Sequence, residues 1–249
     1  MILYEKHDSY SLIRLNNPEK RNALSPELVN QLKSKLTELK NDDSVNSLII
    51  TGEGKSFCAG ADLKYLDQLK NNSTIENQKD SQNLAELFLV LYNFPKPTIA
   101  AVNGAAIAGG CGLASVCDFV VADKANSKFG YSEVKIGFIP AIVSNFLIRR
   151  IGEGRAKQFL LTGDLINAEE AKNLGFVNYL SFDVMETSID LSDNLLNNSL
   201  VSMKETKLMI NKISGMNVKE AVDYCVQLNT ISRSTEDFKN GLDKFLNKK

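Results

Sequence analysis

The sequence predicts an α/β protein whose strands pair substantially in parallel up to about residue 140, with a helical remainder, and three observations carry this. Apolar runs such as "NSLIITG", "TIAAVNG" and "FVVAD" have the length and β-branched content of short buried strands. Segments with helical spacing stand between them, the order that produces parallel pairing. From Ile142 onward almost every segment reads as helix.

Taken in order, "ILYEKH" and "YSLIRLN" are strands separated by a polar turn at Asp8-Ser9. Ser25 before Pro26 starts a helix with proline at its first position, and Leu28, Val29, Leu32, Leu36 and Leu39 supply its apolar face. "NSLIITG" follows as a strand, then "KSFCAGADLKYLDQL". The polar stretch "KNNSTIENQKDSQN" has the composition of a mobile surface segment before the helix "LAELFLVLYNF", which Pro95 and Pro97 stop. "TIAAVNG" leads into a helix beginning near Gly109, and "FVVAD" returns to the sheet. Helices such as "IVSNFLIRRIG", "GRAKQFLLTG" and "VKEAVDYCVQL" complete the chain, with no internal repeat.

A chain of 249 residues, 43% of them hydrophobic, buries a sizeable core as one domain or one domain with an appendage. Its 29 basic and 30 acidic residues balance, so no overall field draws it to nucleic acid or an anionic membrane. Charge at Glu5, Lys6 and Asp8 interrupts any signal-peptide core, and the apolar region Ile99 to Ala122 is broken by Asn103, four glycines and Asp118. Cys58, Cys111, Cys117 and Cys225 show no paired spacing, which suits reduced, buried thiols and a cytoplasmic compartment.

The absences narrow the chemistry. His7 is the only histidine, which sets aside histidine triads and multi-histidine zinc sites. In "NGAAIAGGCGLASVCD", Gly104 to Gly109 has the spacing of a phosphate loop, but Gly110-Cys111 stands where lysine and a hydroxyl residue are needed. No dinucleotide fingerprint is present either. What survives is backbone chemistry: "TIAAVNG" and "NSLIITG" each run into small residues and then a helix start, at Gly109 and near Ala61-Asp62. Two such N–H groups converging on one oxygen form an oxyanion hole. Either segment alone is equally what a tight strand-to-helix turn requires.

The combination is specific. "FCAGADL", "AAVNGAAIAGGCGLASVCDFVVAD" and "SKFGYSEVKIGFIP", with "NNPEKRNALSPEL" before them and "LLTGDLINAEEAKNLGFVN" after, resemble the enoyl-CoA hydratase/isomerase (crotonase) superfamily over nearly the whole chain. The resemblance implies a spiral of ββα units over residues 1–195 and a carboxy-terminal helical region, 196–249, that assembles a homotrimer or a dimer of trimers. It implies an acyl-CoA thioester substrate, with coenzyme A as part of the substrate and no separate cofactor or metal. The oxyanion donors would be the N–H groups of Ala61 and Gly109. The CoA-contacting positions would be Arg21 and Ala23 in "KRNAL", Ala61, Asp62, Leu63 and Lys64 in "ADLK", and Phe245 in "GLDKFLNKK". For Asp62 a helix-cap role is the competing reading, and for Phe245 a core or subunit contact.

Hydratases of this family with two glutamates carry one three residues after the second oxyanion glycine, where this chain has Gly112, leaving a vacancy. The other matches Glu133 in "KFGYSEVKIG", and a partly apolar pocket would raise its pKa toward working pH. Glu153, beyond "RRIG", falls in a turn. One carboxylate serves either hydration or a shift of the double bond. "GFIPAIVSNFLIRRIGE" departs from the glycine-rich segment of ordinary hydratases toward the methylglutaconyl-type or polyketide-associated members. The expectation is therefore a hydratase for a branched enoyl-CoA such as 3-methylglutaconyl-CoA, with a Δ3,Δ2-enoyl-CoA isomerase as alternative. A non-catalytic binding protein of the same fold is the alternative of another class.

Overall fold

Strands β1 (Ile2–Lys6) and β2 (Ser11–Leu15) pair antiparallel across the expected turn, and everything that follows β2 in its sheet is parallel. That sheet runs β1-β2-β3-β5-β7-β10, with β3 at Leu48–Gly52, β5 at Thr98–Val102, β7 at Phe119–Asp123 and β10 at Tyr179–Ser181. A second sheet runs β4-β6-β8-β9, formed by Ser56–Cys58, Ala105–Ile107, Lys128–Gly130 and Ile166–Asn167. The first three of these strands are parallel, and β9 closes the edge antiparallel. The helices are α1 (Pro26–Lys40), α2 (Leu63–Leu69), α3 (Thr74–Tyr92), α4 (Gly109–Ser115), α5 (Ala141–Ile151), α6 (Glu153–Thr162), α7 (Ala168–Asn173), α8 (Val184–Leu195), α9 (Leu200–Ile213), α10 (Val218–Ser234) and α11 (Glu236–Leu246). This computed structural model describes residues 1–247, in two units, Met1–Asp193 and a helical one from Asn194. Lys248 and Lys249, the end of the "GLDKFLNKK" segment, lie outside the described residues.

In the first unit, β3 and β5 are buried at every position, the reason they read as unbroken apolar runs. Alternate side chains leave the sheet on opposite faces. Ile13, Leu15, Leu48, Ile50, Ala100 and Val102 enter the main core, while Leu12, Ile49, Ile99, Ala101 and Val121 form a smaller cluster with Val184 of α8. α1 is capped by the Ser25 hydroxyl, which accepts from the Leu28 N–H, and buries the five apolar residues named above.

Three expectations are corrected. "STIENQKDSQN" is helical from Thr74, not a mobile segment: Ser73 and Glu76 form a capping box, and α3 is anchored further along by buried Leu87, Phe88 and Leu91. The region after Ile142 contains two strands, β9 and β10, of two and three residues. Glu153 opens α6 rather than a turn and pairs with Lys157.

In the unit from Asn194, the α9, α10 and α11 N-termini are capped by Ser199, Asn217 and Thr235. None of these three helices has a buried residue, and Val218, Ile231, Phe245 and Leu246 are each more than 60% exposed. Among the described residues no helix is long and apolar enough to cross a membrane.

Candidate active site

The three parallel strands of the second sheet end at one edge: Cys58 registers with Ala106, and Ile107 with Gly130. From their carboxyl ends emerge the segments Ala59-Gly60-Ala61, Ala108-Gly109 and Tyr131-Ser132-Glu133. Carboxyl ends of parallel strands are where an α/β fold gathers ligand-binding loops.

Glycines let the first two segments touch through backbone alone. A Cβ on Gly60 would lie 2.7 Å from Ile107 O, 2.9 Å from Ala108 Cβ and 3.2 Å from Gly109 N, and Gly60 has φ +83°. A Cβ on Gly110 would lie 2.1 Å from Cys58 O, so the first turn of α4 sits directly on the end of β4. Ala61 and Gly109 are thereby brought to one place. Gly109 opens α4 and has no intrahelical acceptor, and among the described residues neither its N–H nor that of Ala61 donates to a backbone acceptor.

Ala108, between β6 and α4, stands at φ +50° and ψ −120°. Its N–H donates to Gly130 O at 2.7 Å and its carbonyl accepts from Gly112 N at 2.9 Å, which hold it there. Left-handed backbone at a residue with a Cβ costs about 1–3 kcal/mol. Glycine at this position removes that cost and loses about 0.5–1 kcal/mol through the freer unfolded chain. Ala108→Gly is therefore expected to raise stability by about 1 kcal/mol in urea unfolding; a lower denaturation midpoint would contradict it.

Glu133 lies on a single 3-10 turn, Glu133–Ile136, and is 9% exposed. Its Oε2 is buried without a hydrogen-bond partner among the described residues, and burial raises its carboxyl above the usual glutamate range. Tyr131, two residues earlier, is fully buried edge-on to Phe159, with its hydroxyl beside Cys111 and Ser115. Burial pushes the Cys58 and Cys111 thiols up to about 12, so neither is a thiolate nucleophile. Beside the turn, Val134, Ile139, Pro140, Ser144, Leu160 and Leu161 line a recess of about 320 Å³.

The other expected positions divide. Ala23 is buried, and the next residue, Leu24, bridges Ala61 in parallel, so "KRNAL" borders the first donor segment. Arg21, in the same turn, is exposed. Asp62 caps α2, accepting from the Lys64 and Tyr65 N–H groups, and pairs with Lys20 at 2.7 Å. The Lys20 hydrogen bond leads in holding its carboxyl below the usual range. Leu63 is 74% exposed, and Lys64 is exposed beside it. Phe245 lies on α11 in the second unit, 77% exposed.

The vacancy expected at Gly112 does not exist. A Cβ there would lie 2.3 Å from Val143 Cγ1, 3.0 Å from Val143 Cβ and 3.4 Å from Phe88 Cζ. The first turn of α5 fills the space with Val143, which only the fold could reveal.

Sequence reading also missed Arg150, whose half-buried guanidinium donates to Ser115 O, Cys117 O, Phe176 O and the Asn178 side chain. It ties the far end of α4 to the strands beyond. Its only sequence signal was one of two adjacent arginines at the end of a mostly apolar helix.

A family model described as enoyl-CoA hydratase/isomerase matches residues 5–249. A Thermus thermophilus protein named "Putative enoyl-CoA hydratase" is 42% identical over 96% of this chain and 95% of its own length. A "Crotonyl-CoA hydratase" of Syntrophomonas wolfei is 33% identical over 100% of this chain and 95% of its own. Among solved structures, an enoyl-CoA hydratase from Shewanella pealeana superposes with a TM-score of 0.94 at 28% identity, covering 100% of this chain and 94% of that one.

Proposed function

The chain belongs to the enoyl-CoA hydratase/isomerase family of enzymes, and from that premise we propose that it adds water to an enoyl-CoA thioester with Glu133 as its one acid/base. The observation that carries this reading is the meeting of three strand ends: the backbone contact of Gly60 with Gly109, and a buried, unpartnered carboxylate oxygen on Glu133.

In the proposed reaction the thioester oxygen accepts from the Ala61 and Gly109 N–H groups. These stabilise the negative charge that develops on it as water adds at C3; losing one such donor typically costs about 2.7–4 kcal/mol. Glu133 takes the proton from the attacking water and delivers one to C2, leaving the 3-hydroxyacyl thioester. Arg21, Ala23, Asp62, Leu63, Lys64 and Phe245 are proposed to contact the CoA portion, with no cofactor beyond the substrate. The exposed apolar residues of α10 and α11 support a homotrimer or a dimer of trimers.

The acyl group is proposed to be branched and uncharged. Among the described residues, none lining the recess after Glu133 is cationic, so it suits an apolar branch better than the free carboxylate of 3-methylglutaconyl-CoA. The second reading, Δ3,Δ2-isomerisation, is favoured by Val143, which occupies the place of a second acid. There Glu133 would move a proton from C2 to C4.

Separate incubation with crotonyl-CoA, 3-methylcrotonyl-CoA, 3-hexenoyl-CoA and 3-methylglutaconyl-CoA, followed by mass spectrometry, decides between them. A gain of water, strongest with an uncharged branched substrate, is expected. A shifted double bond at unchanged mass would replace hydration by isomerisation, and preference for the carboxylated substrate would refute the apolar recess.

A further inference from the structure

Two consecutive residues, Arg21 at φ +52° and Asn22 at φ +55°, take left-handed backbone, closing a turn in which the Ala23 N–H donates to Lys20 O at 3.1 Å. Asparagine tolerates this conformation better than most residues, but Asn22 does more than tolerate it. It is completely buried, and both ends of its side-chain amide are engaged. Oδ1 accepts from the Asn17 N–H at 2.9 Å, while Nδ2 donates to Glu53 O at 2.9 Å and Ser56 O at 2.8 Å.

These bonds fasten the turn to the chain that enters β4. On either side the backbone pairing continues: the Ala59 N–H donates to Arg21 O at 3.0 Å, the Leu24 N–H donates to Gly60 O at 2.7 Å, and Leu24 bridges Ala61. Residues 59–61 belong to no regular element. They are held by Gly109 on one side and by the 21–24 turn on the other.

We propose that Asn22 is a positioning residue that sets the direction of the Ala61 N–H toward the thioester oxygen. The inference rests on the oxyanion reading of Ala61. Asn22 touches no reacting atom; it acts by fixing the turn against which the donor segment is laid. Without its amide, Asn17 N, Glu53 O and Ser56 O lose their partner and the turn is free to slide, and a displacement of about 1 Å can cost on the order of a hundredfold in rate.

The test uses Asn22→Gly, which keeps the left-handed backbone, and Asn22→Asp, which also keeps the acceptor for Asn17 but loses both donated bonds. The probes are acetoacetyl-CoA, whose bound enolate absorbs in the near ultraviolet, and butyryl-CoA, which forms no comparable enolate. In a folded variant the enolate absorbance should fall and kcat should drop about tenfold or more, while butyryl-CoA affinity stays within about threefold of wild type. Wild-type absorbance and kcat in folded Asn22→Gly would overturn the proposal. So would an equal loss of affinity for both CoA ligands, which would assign Asn22 to the CoA seat. Failure of both variants to fold would make it a folding residue only and would equally overturn it. A wild-type protein giving no enolate band would instead refute the Ala61 and Gly109 donor reading itself.

Discussion

Glu133→Gln is expected to lower kcat by about 10²–10⁴-fold, the usual contribution of a positioned acid/base, with acyl-CoA affinity little changed. Glutamine has the same shape and keeps one acceptor oxygen, but it cannot exchange a proton with water or with C2. The same substitution should make the protein more stable at pH values where the native carboxyl is ionised. Burial raises the Glu133 carboxyl in the folded chain, so the folded state favours the protonated form. The stability this gives is fully present below the ordinary glutamate range and is lost as pH rises through the raised value. Above that raised value the native protein holds a buried carboxylate whose Oε2 lacks a partner among the described residues, and glutamine removes that charge. Unfolding measured across a pH series should show the variant level with wild type in acid and ahead of it once pH has risen through the raised value. Near-normal turnover would sink the single-acid mechanism; a variant less stable above that value would contradict the electrostatic account.

Gly112→Glu should destabilise the protein and leave hydration of crotonyl-CoA no better. Its Cβ would arrive 2.3 Å from Val143 Cγ1, and overpacking of this kind costs about 1–3 kcal/mol before the burial of a carboxylate is counted. Combined with Val143→Ala, which removes Cγ1 and leaves Val143 Cβ at 3.0 Å, the substitution should recover stability. The two positions should show a coupling on the order of 0.5–3 kcal/mol, as touching residues do. Only the double variant has space for a second acid, so only there should crotonyl-CoA hydration rise. Thermal melts and initial rates on the two single variants and the double variant check this; additivity would show that Val143 does not govern the position.

The strands and helices with strong periodicity were legible because burial wrote them into the sequence. β3 and β5 are buried throughout, and α1 carries an apolar face between a serine cap and its last turn. The amino-terminal half of α3 carried no such signal, because its helix is held by a capping box and by burial that begins only at Leu87. β9 and β10 are too short to show a period, and they exist because a neighbouring strand offers an edge. In the candidate site, the segments that carry Glu133, Ala61 and Gly109 were legible from the order of their motifs, and their roles remain proposals. Val143, Asn22 and Arg150 were not, since each acts on a segment distant in sequence. The error at Gly112 has the same origin: an absent side chain says nothing about what fills its place.

The contact of Gly60 with Gly109 has a genetic consequence. The proposed oxygen-binding donors are main-chain groups, and no codon specifies them; a change of side chain reaches them only through the backbone that carries them, as at the two glycines or at Asn22. Glu133 is specified by one codon and can be lost in one step. Under the proposed roles, a protein that lost Glu133 alone would still hold a thioester without turning it over.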